Sequence, residues 1–175
     1  MNDKKTKEAV AQARASLATA RISFDELEKL RRASRGPLPS LDALTGLLGA
    51  VYESKAVTSV VSSLGLRTRK LPGGGADATA RQNGIALRVD DAGLIVSVTL
   101  YGEGDAGYSS WSGPLDDGLN LSSTIADVGR VMGPPAQRAQ VGEVEELHYH
   151  RDGLVVVFVV DDEAIAQVIV RRSSP

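Results

Sequence analysis

The chain of 175 residues contains no cysteine, which excludes disulfides, a thiolate zinc site and a cysteine nucleophile. It has only two histidines, and aromatic residues make up 4% of the sequence. No apolar run approaches the roughly 20 residues of a membrane span. The first residues are charged and no apolar segment follows them, so we expect a soluble, cytoplasmic protein without a membrane partner.

The charge is unevenly distributed along the chain. Residues 1–35 hold nine Lys/Arg and five Asp/Glu, whereas residues 36–175 hold eleven and seventeen. An acidic body argues against nucleic acid as the direct ligand and is compatible with a basic protein partner. The alternative interpretation is ordinary solubility charge.

Residues 1–35 are predicted to form an N-terminal helical arm, because they are rich in Ala, Lys, Glu, Gln and Arg. Val10, Ala13, Leu17 and Ala20 give it one weakly apolar face. The segment Gly36–Ser40 then breaks the helix. One possible function of this arm is self-association or docking to a larger complex.

The remainder of the chain contains one unit twice. The helical pattern that ends at Leu64-Gly65 recurs 68 positions later, where it ends at Met132-Gly133. Each copy continues with a Gly/Pro-containing loop and two strand-like runs joined by an Asp-Asp turn. This predicts an α+β fold in which a tandem repeat of short helices packs on antiparallel sheet, with the first repeat over 41–101 and the second over 119–171.

Individual elements follow from periodicity and turn residues. Ser40 is predicted to cap the first helix, Ser122 or Ser123 the third, and Pro72–Gly75 to form a hairpin loop. Val155–Val160 is apolar at every position, which predicts a central strand covered on both faces. The predicted helices are 41–48, 54–64 and 122–132, and the predicted strands are 84–89, 94–101, 144–150, 154–160 and 164–171.

The linker 102–118 contains the single tryptophan and many glycines. Tyrosine and tryptophan beside carboxylates are typical of a hot spot for a basic partner. We expect Tyr108 to be exposed by its glycine-rich surroundings, whereas the alternative for Trp111 is a plug between the two repeats. The predicted partner-binding residues are Tyr101, Glu103, Asp105, Tyr108, Trp111, Asp116 and Asp117.

Two other groups of residues suggest chemistry more weakly. His148 and His150 share one face of a strand, where Glu143, Glu145 or Glu146 would complete a metal site. The favoured interpretation is two surface residues flanking a buried Tyr149. The pairs Asp90-Asp91 and Asp161-Asp162 suit hairpin turns. We therefore predict no metal, no cofactor and no catalytic residue.

The second repeat and the residues before it carry a series of short motifs. The motifs are Gly113-Pro114-Leu115, Gly118-Leu119, the helix Ser122–Met132, Gly133-Pro134-Pro135, Tyr149 and the hairpin Val155–Val170. With these motifs, residues 41–171 resemble bacterial two-repeat proteins of the beta-lactamase-inhibitory-protein-like architecture. That resemblance implies a concave protein-binding face and, for proteins of the cytoplasm, an immunity protein of a polymorphic or type VI secreted toxin that occludes the toxin's active site. The alternative is a structural or assembly module that uses the N-terminal helix.

Overall fold

A computed structural model of the protein describes residues 38–115 and 118–173. The predicted N-terminal arm and the predicted partner-binding residues Asp116 and Asp117 lie outside the described residues. The described residues all belong to one compact unit. No helix in the described ranges is long and apolar enough to cross a membrane.

Within the described ranges there are three α-helices and eight strands. The helices are α1 (Leu41–Thr45), α2 (Lys55–Leu64) and α3 (Ile125–Met132). The strands are β1 (Arg67–Lys70), β2 (Ala76–Ala80), β3 (Ile85–Val89), β4 (Ile95–Tyr101), β5 (Gln137–Val141), β6 (Val144–Arg151), β7 (Leu154–Asp161) and β8 (Ala164–Arg172).

All eight strands belong to one antiparallel sheet with the order β1-β2-β3-β4-β8-β7-β6-β5. Each half is a meander of four consecutive strands, and the halves meet where β4 pairs with β8. Thr99 faces Ile169 at the centre of that pair. The predicted α+β class with an antiparallel sheet is confirmed.

Three strands were missed by the sequence reasoning, namely β1, β2 and β5. The second half is therefore a four-stranded meander, and the prediction of three strands was wrong. The edge strands β1 and β5 are exposed at nearly every position, so neither shows the apolar alternation that reveals a half-buried strand. In β2, alanines fill the buried positions, and alanine is a weak strand signal.

The helix ends differ from the predicted ones in two of three cases. Ser40 and Gly65 behave as predicted: the Ser40 hydroxyl caps α1, and Gly65 ends α2 in the left-handed region. However, α1 already ends at Thr45. In α3 the cap is Thr124, not Ser122 or Ser123, because Thr124 and Asp127 exchange hydrogen bonds in a capping box.

Alternation along the strands gives the sheet two faces. The helix face packs against all three helices in one buried cluster, to which Leu87, Leu100 and Phe158 contribute. The opposite side, which we call the open face, carries the alternate residues of each strand. Its buried part on β7 consists of Val155, Val157 and Val159, so the predicted burial of both faces of this strand is confirmed.

The buried cluster of the open face contains no residue from the three helices. It is defined by the following positions: Arg67, Arg69, Asp77, Thr79, Ala86, Arg88, Ser97, Thr99 and Tyr101 in the first half, and Gln137, Ala139, Glu146, His148, His150, Val155, Val157, Val159, Gln167, Ile169 and Arg171 in the second.

Candidate functional site

The segment after β4 is fixed against the sheet by backbone hydrogen bonds. The Ser109 N–H donates to the Arg81 carbonyl, and the Trp111 N–H donates to the Tyr101 carbonyl at 2.9 Å. Gly84 makes this close approach possible. It has a φ of +64°, and a Cβ there would lie 2.5 Å from the backbone nitrogen of Trp111. The linker therefore packs closely against the start of β3 and the end of β4.

Tyr101 and Tyr108 form a stacked pair at one end of the open face. Their ring centroids are 3.8 Å apart and their planes are 10° from parallel. The Arg81 guanidinium carbon lies 5.3 Å from the centroid of the Tyr108 ring. Tyr108 is only 7% exposed, so its expected exposure was wrong. The glycines around it do not expose the ring, because Tyr101 and Arg81 pack on it.

A cavity of about 430 Å³ lies beside the stacked pair on the open face. The cavity exists because the side chains at its floor are small, namely alanine and the hydroxyl residues. The two tyrosines and the ion pair of Asp77 with Arg88 border it. Of the predicted residues, the structure places Tyr101 and Tyr108 here. The lining residues are Asp77, Thr79, Ala86, Leu87, Arg88, Ser97, Thr99, Tyr101, Tyr108 and Ile169.

The electrostatics of this cavity are set by one carboxylate among several guanidinium groups. Arg88 Nη1 donates to Asp77 Oδ1 at 2.6 Å, and Arg69 Nη2 lies 3.9 Å from Asp77 Oδ2. Burial, followed by the proximity of Tyr108, Asp105 and Asp77, raises the pKa of Tyr101 to about 12. Its phenol is therefore a neutral hydroxyl at physiological pH.

The predicted acidic residues of the linker line a different cavity, of about 650 Å³. Glu103 and Asp105 face it together with Asp161 from the end of β7. Asp105 Oδ2 is buried without a hydrogen-bond partner among the described residues. The structure thus separates the predicted set into an aromatic site on the open face and an acidic site at the linker, with Asp105 close enough to Tyr101 to raise its pKa.

Trp111 is a core residue. It is 3% exposed and belongs to the cluster of the helix face. Gly113 accommodates it, because a Cβ at that position would approach the indole ring to 2.5 Å. The burial of Trp111 agrees with the alternative that it fills the interior between the two repeats, and it removes the indole from the surface that a partner would meet.

The histidines lie on the open face and flank Tyr149, which is buried as expected. His148 Nε2 is 2.9 Å from Glu146 Oε2, and the Tyr149 hydroxyl donates to the Gly133 carbonyl at 3.4 Å. The described residues contain no group of three or more His, Asp or Glu side chains placed to hold a metal ion.

Sequence reasoning missed the arginines of the first half, above all Arg81 and Arg88. For Arg88 a signal was present in β3, where it is the single charge between Leu87 and Val89 in an otherwise apolar strand. Finding Asp77 required β2, which the alanine-rich pattern concealed. Only the pairing of Asp77 with Arg88 across two strands shows that they share a site.

No family model matches the chain, and no curated protein matches it either. A DUF4309 family protein from Bacillus subtilis is similar in structure over 66% of this chain and 77% of its own, with 17% identity and a TM-score of 0.49. A cysteine-rich secretory protein from Staphylococcus aureus is similar over 73% of this chain and 45% of its own, with 12% identity and a TM-score of 0.43.

Proposed function

We propose that this chain is a non-enzymatic protein-binding module whose partner docks on the open face. The observation that carries the proposal is the cavity of about 430 Å³ beside the stacked Tyr101 and Tyr108. Tyr101, which the buried Tyr108 holds in place by stacking, borders this concave surface, and tyrosine is a typical anchor of protein interfaces because it offers a large contact area at a low entropic cost. The three helices of the described residues occupy the other face of the sheet.

We also propose that the two halves are tandem copies of one helix-plus-sheet unit. An offset of 70 relates β4 to β8, and it superimposes the buried residues Ile95, Val98 and Leu100 on Ile165, Val168 and Val170. The isolated bridges Val51–Leu94 and Thr124–Ala164 tie the segment before each long helix to the start of the fourth strand. Both hairpins that end in these strands also contain a register shift.

The finer proposal is an immunity protein of the cytoplasm that neutralises a cognate bacterial toxin by occluding its active site. It is supported by the resemblance of residues 41–171 to two-repeat inhibitory proteins together with the cavity on the open face. In such a mechanism the chain needs no chemistry of its own, because excluding the substrate from the toxin is sufficient.

Site-specific cross-linking in the source cells tests the docking face. The chain has no native cysteine, so Ser97→Cys places a single photoactivatable label in the cavity. Ser62→Cys on the exposed side of α2 is the matched control. We expect one protein to be cross-linked from position 97 and not from position 62, and its toxicity to be relieved by co-expression of this chain. Equal labelling from both positions would contradict docking on the open face.

A further inference from the structure

The open face has a charge of opposite sign to the body of the protein. Residues 36–175 carry eleven Lys/Arg and seventeen Asp/Glu, and from this excess the sequence predicted a basic partner. Strand alternation sorts these charges between the faces. The open face carries four arginines and two carboxylates. The Arg81 guanidinium, which lies over the Tyr108 ring, adds a further positive charge at its aromatic end.

Three of the arginines lie in one row across the sheet. The pairings run from Arg69 to Asp77, from Asp77 to Arg88, from Arg88 to Ser97 and from Ser97 to Arg171. Neighbouring strands are about 4.8 Å apart, so the row spans roughly 20 Å. This length corresponds to a strip of protein surface rather than to a small molecule.

The single carboxylate of this row does not neutralise it. Asp77 makes its close contact with Arg88, and Arg69 is at the limit of an ion pair. Arg171 is exposed and forms no ion pair with a described residue, and the same is true of Arg67 in the adjacent row. Several guanidinium groups therefore have donors available to a partner.

We infer that the partner presents carboxylates to the first half of the open face. This inference rests on the proposed function and replaces the basic partner that the net charge predicted. The planar guanidinium of arginine binds carboxylate with two parallel hydrogen bonds. A basic surface placed here would set like charges against each other, which opposes association.

An acidic protein surface fits better than a nucleic acid. A polyanion longer than the row would extend over a body whose net charge is negative, and the phosphates beyond the row would be repelled. The hydroxyls of Thr79, Ser97 and Thr99 between the arginines suit hydrogen bonds with a peptide surface. A strip of carboxylates no longer than the row would pair with its arginines and would not be repelled by the acidic body.

Binding of synthetic polyanions tests the inference on the full-length protein. A hexaglutamate peptide, whose extended length of about 20 Å matches the row, is titrated at low salt. Backbone amide shifts identify the face, and calorimetry measures the Kd. Arg88→Gln combined with Arg171→Gln removes two charges from the open face. Lys55→Gln combined with Arg130→Gln removes two charges from the helices and is the matched control. We expect roughly tenfold weaker binding for the first pair and less than about twofold for the second.

Three results would overturn the inference. The first is an equal loss of binding in both double variants, which would indicate attraction to net charge alone. The second is tighter binding of duplex DNA than of the hexaglutamate peptide to the same amides. The third is binding of poly-L-lysine to the open face, which would leave the docking face intact and reverse the sign of the partner. Failure of the cross-linking at position 97 would instead remove the docking face itself.

Discussion

On the helix face, the two halves of the sheet place apolar residues of similar size at corresponding positions, such as Val98 and Val168. On the open face, the corresponding positions diverge. Ala86 pairs with Thr99 in the first half, and Val157 pairs with Ile169 in the second. The first half is thus polar, with a cavity, while the second has an apolar, buried centre on β7 and β8. Packing against the helices restricts which residues the helix face can carry, whereas the described helices place no such restriction on the open face.

The largest expected effect comes from placing a carboxylate on each half of the open face. Val157→Asp should reduce the free energy of unfolding by about 3–5 kcal/mol, because it buries a charge where valine is 4% exposed. Ala86→Asp, its counterpart in the cavity, should cost less than about 1 kcal/mol. Urea unfolding of both variants measures the difference. Equal losses would show that the two halves are not distinct.

Two hairpin glycines provide the next comparison. Gly84→Ala should cost about 1–2 kcal/mol for its left-handed backbone and roughly 1–3 kcal/mol more for the clash with the backbone of Ser109 and Trp111. Gly153 has a φ of +76° and open space around it, so Gly153→Ala should show the backbone cost alone. Thermal unfolding measures both variants. A Gly84→Ala protein as stable as Gly153→Ala would disprove the close packing of the linker.

The helix caps should differ in their pH dependence. Thr124→Ala should destabilise the protein by about 1 kcal/mol by removing the cap of α3. The Thr124 backbone N–H, followed by Arg130, lowers the pKa of Asp127 to about 2. This folded-state pKa is below the unfolded value, so the contribution exists above pH 4 and is lost as the pH falls through about 2.

Carboxyl titration by NMR follows the pKa of Asp127, which should rise only part of the way from about 2 toward 3.8 in Thr124→Ala, because the substitution removes the hydroxyl but keeps the backbone N–H and Arg130. Ser54→Ala is the control in the first half, since α2 has no acidic residue in its first turn. It should lower stability without adding pH dependence in this window. An unchanged Asp127 pKa in Thr124→Ala would exclude a contribution of the Thr124 hydroxyl.

The smallest expected effect concerns the stacked tyrosines. Tyr108→Leu should lower the pKa of Tyr101 from about 12 toward 10, because the substitution exposes the ring and removes a neighbouring phenol. In the native protein the raised pKa makes stability fall as the pH rises from 10 to 12. NMR titration of the tyrosine ring signals follows this change, and Tyr52→Leu is the control. A Tyr101 pKa that stays near 12 would contradict the role of the stack.

Much of the scaffold was accessible from the sequence because its signals are local. The αL glycine at Gly65 and the aspartate turn at Asp90, whose side chain accepts from the Leu94 N–H, depend on a few neighbouring residues. The strands β1, β2 and β5 were missed, since edge exposure or alanine removes the periodic pattern. The predicted site was recovered only in part: Tyr101 and Tyr108 meet, whereas Trp111 is buried.

The sequence by itself determined the α+β class, the order of the central elements and the double-sided burial of β7, because these follow from periodicity and from the conformational preferences of turn residues. Only the tertiary structure decided that both halves join in one sheet at β4 and β8, that Tyr108 is covered by Tyr101 and Arg81, and that arginines gather on the open face of an acidic protein. Such arrangements depend on which strands become neighbours, and strand pairing joins residues that are far apart in the chain.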